Sequence, residues 1–114
     1  MTMEQQIIVT RDYDFDAMQT AVFALRTSFP ALRLNTVGQS VLGREIYCLS
    51  LGNEDRPAVL YAGAFHGTEH ITSPLLLRFV ERLCRAWDNR APLSQMNVSL
   101  ILKEHHLLFV PRVN

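Results

Sequence analysis

The stretch Ala62-Gly63-Ala64-Phe65-His66-Gly67-Thr68-Glu69-His70 holds the side chains whose types and spacing could do chemistry. A neutral imidazole on His66 and a carboxylate on Glu69, three residues apart, can face one point. Zinc takes N and O donors of this kind, and two histidines with one glutamate plus an open water position form a catalytic set. Gly67 lets the backbone turn tightly between the two donors. On spacing alone the pair is also readable as a loop hydrogen bond without metal, since a His-x-x-Glu match needs a confirming structural setting. His70, one step after Glu69, points elsewhere and reads as a surface or supporting histidine. His105 and His106 have no partner at ligand spacing and read as structural.

The elements around these residues must position them. Ala58-Val59-Leu60-Tyr61-Ala62-Gly63-Ala64 is apolar on both faces, the pattern of a central strand covered on each side. Beyond His70 a long helix begins near Ser73-Pro74, where proline costs no hydrogen bond. Its apolar stripe is Leu75, Leu76, Phe79, Val80, Leu83, Cys84 and Trp87. Arg78, Glu81, Arg82 and Arg85 form the wet face, with Glu81 placed for a weak pair with Arg85. His66 and Glu69 therefore fall where a buried strand passes into a helix. Ligand sites of open α/β sheets gather beyond the carboxyl ends of strands.

Earlier in the chain, Met18, Ala21, Val22, Leu25 and Phe29 recur at helical steps, with Asp14 as a candidate cap and Pro30 as the stop. Leu32–Val37 and Glu45–Leu51 alternate with period two around glycines and predict a hairpin. Asn97–Glu104 fits helix or strand, and Leu107–Val110 predicts another buried strand. The order is helix, hairpin, strand, helix, short element, strand: an α/β fold with a mixed parallel/antiparallel sheet and helices packed on it.

Composition narrows the function classes. Eleven basic and eleven acidic residues balance, so the Lys/Arg surplus typical of nucleic-acid binding is missing. No apolar run approaches the roughly 20 residues that span a bilayer. Met1–Thr10 does not read as a signal peptide, so a cytoplasmic location is the default expectation. Cys48 and Cys84 show no motif spacing; a bridge is open in principle, but two buried reduced thiols are expected.

Several segments then fall in a telling order: Tyr13-Asp14, Phe29-Pro30-Ala31-Leu32, the run from Val37 through Gly43-Arg44 to Ile46, the buried strand leading to His66-Gly67-Thr68-Glu69, and Val110 to Asn114. In that order and spacing the chain resembles the opening of the carboxypeptidase A-like zinc metallocarboxypeptidases. The resemblance implies the N-terminal part of a zinc-carboxypeptidase-like, phosphorylase/hydrolase-like fold, and a zinc-dependent hydrolase of peptide bonds. It implies that His66 and Glu69 are the first two Zn2+ ligands and that Arg44 is structural, at a hairpin turn. A third ligand histidine, a general-base glutamate and arginines for the substrate carboxylate are implied downstream of Asn114, with no catalytic residue in this chain. Residues 1–114 are thus expected to be a truncated N-terminal part of a catalytic domain, inactive alone, that self-associates through surface exposed by truncation. The stretch His66–Phe79 looks closest to bacterial γ-D-glutamyl-diaminopimelate peptidases, which act on peptidoglycan stem peptides. A non-catalytic fragment, or an interaction domain without metal, stays open as the alternative.

Overall fold

A computed structural model of the chain describes residues 15–63 and 72–113. Helix α1 (Phe15–Ser28) turns the Met18, Ala21, Val22 and Leu25 stripe inward. Phe29, one step past the helix, is buried with them, and Pro30 follows at the break. The expected cap, Asp14, lies outside the described residues. Strands β1 (Arg33–Gln39) and β2 (Glu45–Gly52) form the antiparallel hairpin, with an irregularity between Thr36 and Gly38. At its turn the Ser40 and Arg44 main chains are bonded to each other (2.8 Å), and the Arg44 guanidinium lies 5.2 Å from the Phe15 ring centre.

Strand β3 (Ala58–Ala62), helices α2 (Thr72–Asp88) and α3 (Val98–Glu104), and strand β4 (His106–Val110) complete the chain. Asn97 settles the ambiguous segment: its side-chain oxygen accepts the Leu100 N–H at 3.1 Å, satisfying a first-turn donor that a strand would not offer. The sheet order is β1-β2-β4-β3, so the last strand of the chain sits between two earlier ones. It pairs antiparallel with β2 and parallel with β3.

One cluster joins the inward side chains of all three helices to Tyr47, Leu49, Leu51, Leu107 and Phe109 of the sheet. Phe109 is fully buried, stacked on Tyr61 at 5.3 Å and edge-on to Phe79 at 6.2 Å. Gly52 sits at φ +94° where β2 ends, close against the His105 carbonyl at the end of α3.

Two expectations are corrected. Within the described sheet β3 is not central: β4 inserts beside β2 and leaves β3 at the border. Val59, Leu60 and Tyr61 are 39%, 61% and 38% exposed. Glu81 is not on the wet face of α2 but 1% exposed, with Arg85 Nη2 at 3.9 Å. The helix buries a wider arc than a single stripe, including Leu77, while Leu75 faces out.

Candidate functional site

Parallel pairing brings the carboxyl ends of β3 and β4 side by side, with Ala62 opposite Val110. The pairing runs one step further: the Gly63 N–H donates to Val110 O at 2.9 Å, and the Val113 N–H donates to Gly63 O at 3.2 Å. The start of α2 reaches the same tail, because the buried Ser73 hydroxyl donates to the Pro111 carbonyl. Pro74 follows in the first helical turn, where a missing N–H leaves no gap in the helix ladder. Residues 64–71, between these two attachments, carry His66, Glu69 and His70 and lie outside the described residues.

An imidazole nitrogen and a carboxylate oxygen suit zinc, so the donor chemistry of His66 and Glu69 fits the implied metal. Among the described residues no group of three or more His, Cys, Asp or Glu is arranged to hold a metal ion. Both cysteines are free and buried. Burial raises the Cys48 thiol above its ordinary value. Burial, with the nearby negative charges of Asp88 and Glu81, pushes Cys84 up to about 12. Neither supplies a thiolate nucleophile at neutral pH.

The remaining histidines belong to the frame. His105 closes α3, and His106 Nε2 lies 2.8 Å from the buried Ser50 Oγ. Arg33 donates through Nη2 to Ser50 Oγ (3.0 Å) and Gly52 O (3.1 Å), and its Nε lies 2.8 Å from Glu54. This polar row sits at the amino ends of β3 and β4, as does a recess of about 260 Å³ lined by Arg33, Gly52 and Trp87. It is at the opposite end of the sheet from Gly63. The link from Ser73 to Pro111 was not foreseen; a serine beside a proline signals a helix start, and nothing local announces a partner 38 residues on.

Comparison with known proteins agrees with this geometry. Residues 18–114 match the family model for zinc carboxypeptidases. The chain is 28% identical over 104 residues to γ-D-glutamyl-L-diamino acid endopeptidase 1 of Lysinibacillus sphaericus, covering 91% of this chain and 26% of that protein. It is 27% identical over 114 residues to the human carboxypeptidase N catalytic chain, covering 94% and 24%. Among solved structures, a metallo-carboxypeptidase from Burkholderia cenocepacia superposes with a TM-score of 0.72 at 20% identity, over 90% of this chain and 27% of that one. The bovine thrombin-activatable fibrinolysis inhibitor gives 0.73 at 16% identity, over 96% and 32%. The chain spans about a quarter of the length of the curated relatives it matches. With the model matching from Met18 to the last residue, the chain belongs to the zinc carboxypeptidase family.

Proposed function

We propose that the protein is a zinc metallopeptidase to which this chain contributes two metal ligands, His66 and Glu69. The observation that carries the reading is the place of these residues in the chain. In sequence they follow the carboxyl end of β3, a strand that pairs with the parallel β4, in a chain that matches the family from residue 18 to residue 114. His66 offers a neutral ring nitrogen and Glu69 a carboxylate oxygen, and Gly63, three residues before His66, is hydrogen-bonded to the tail of β4. Zinc, when bound, supplies a Lewis acid that polarises a peptide carbonyl and acidifies water. Glu69 also brings negative charge that lowers the net charge of the site. A third donor and a general base are needed as well. The chain by itself therefore binds zinc weakly and does not turn over.

For substrate, we favour peptidoglycan stem peptides containing a γ-D-glutamyl-diamino acid bond, supported by the His66–Phe79 stretch and by the bacterial endopeptidase among the relatives. Calorimetry with zinc on the wild type, His66→Ala and Glu69→Ala tests the ligands. Weak binding that either substitution abolishes is expected; binding unchanged in both would remove the assignment. With zinc added, the chain should hydrolyse neither a diaminopimelate-containing stem peptide nor a plain C-terminal peptide substrate. Turnover of either would refute the division of labour.

A further inference from the structure

We propose that the outer edge of β3 pairs with the same edge of a second copy of this chain, about a two-fold axis at Leu60, to form one continuous sheet. Among the described residues no strand lies on that side of β3. Ala58, Val59, Leu60 and Tyr61 are exposed. The usual protections of a strand edge are missing from Ala58–Ala62, which holds no charge, no proline and no bulge.

The ladder to β4 fixes which groups point outward. The His106 N–H donates to Pro57 O at 3.3 Å, and the Gly63 N–H donates to Val110 O at 2.9 Å. Between these ends alternate residues bond to β4, so the main-chain groups of Val59 and Tyr61 face it. Those of Ala58, Leu60 and Ala62 point away, toward an added strand.

The order of residues favours a second copy as that strand. Around Leu60 the sequence Ala58-Val59-Leu60-Tyr61-Ala62 reads small, large, large, large, small from either end. An antiparallel copy centred there sets Leu60 opposite Leu60 and Ala58 opposite Ala62, and each such pair exchanges two main-chain hydrogen bonds. Val59 falls opposite Tyr61, a β-branched side chain against an aromatic one, which is a favourable cross-strand pair. A slip of one residue would oppose an outward-facing residue to one already bonded to β4, and a slip of two would forfeit a pair. Opposed residues share a sheet face, so both α2 helices lie on one side of the joined sheet, each with Phe79 against Tyr61 and Phe109. A like-with-like contact of this kind closes as a dimer.

The test uses the 114-residue chain, with Leu60→Cys, Val59→Cys and Leu60→Pro. At a hydrogen-bonded antiparallel pair the two Cα atoms lie about 5.5 Å apart, within the span of a disulfide. Two copies of residue 59 are offset by two positions and lie about 8 Å apart, out of reach. Under a mild thiol oxidant Leu60→Cys should therefore give a covalent dimer and Val59→Cys should stay uncrosslinked; native Cys48 and Cys84 are buried and do not compete. Leu60→Pro removes an N–H that points away from β4, so the internal ladder is kept while each copy loses a donor at the axis. In sedimentation it should raise the dimer dissociation constant about tenfold or more. A wild type that stays monomeric, no cross-link through Leu60→Cys, or equal cross-linking through Val59→Cys would overturn the proposal. Association that a folded Leu60→Pro leaves unchanged would place the contact on another surface and overturn it too. If Leu60→Pro does not fold, the two cysteine variants decide alone.

Discussion

Replacing Gly52 with alanine tests the tightest main-chain approach among the described glycines. The added Cβ would sit 2.4 Å from His105 O and 3.1 Å from Leu102 O, where ordinary contact begins at 3.4 Å. Both oxygens are backbone, so no side-chain rotation relieves the overlap. The nearer one is held in place by the Asn53 N–H donating to His105 O at 2.9 Å and by Gly52 pairing with His106. Two costs add. The left-handed φ of +94° costs a non-glycine residue about 1–2 kcal/mol. Pushing α3 and the start of β4 aside costs about 1–3 kcal/mol, the range for overpacking. The expected total, about 2–5 kcal/mol, is a large share of the roughly 5–15 kcal/mol that holds a domain folded. Gly43→Ala is the control, because it also has a left-handed φ, +79°, but nothing lies within 4 Å of its Cβ. Urea unfolding of both variants separates the two costs. A Gly52→Ala loss within about 0.5 kcal/mol of the Gly43→Ala loss, smaller than the overpacking range, would refute the close approach of β2 to the end of α3.

Three further outcomes are expected. Native Cys48 and Cys84 should resist a thiol reagent at pH 8, while two thiols should be counted after unfolding without reductant; a count of zero would mean a bridge. Because the folded Cys84 holds its proton up to about 12 against an ordinary 9.0, the unfolded chain loses that proton first. Stability should therefore be intact below pH 9 and fall between the two values, by at most about 1.4 kcal/mol per pH unit. A flat stability curve over that window would contradict the burial. Finally, the wild type should associate with rising concentration in sedimentation, and Leu60→Lys, which charges the exposed face of β3, should shift it toward monomer. A wild type that stays monomeric at high concentration would rule this out.

The helix and hairpin elements were legible because their signals are local. The Met18–Leu25 stripe and Pro30 sufficed for α1, and alternation sufficed for β1 and β2. For α3 the period was ambiguous, and the cap on Asn97 decided it. What escaped is not written locally. Apolar residues on both faces of β3 say that burial is tolerated, not which strand lies beside it. Glu81 was misjudged by type, since its position one turn after Leu77 places it on the inward arc whatever its charge. His66 and Glu69 stood out by kind and spacing, whereas the bond from Ser73 depends on a main-chain oxygen far along the chain.

The position of β4 has a consequence for how the molecule is made. Synthesis delivers β1, β2 and β3 before the residues that join them, and β3 has no described strand partner other than β4. Until roughly the 110th residue has emerged, the nascent sheet is a hairpin with a detached apolar ribbon trailing it. β4 then slots between two waiting edges. A chain cut a few residues before His106 would lack the strand that joins the hairpin to β3.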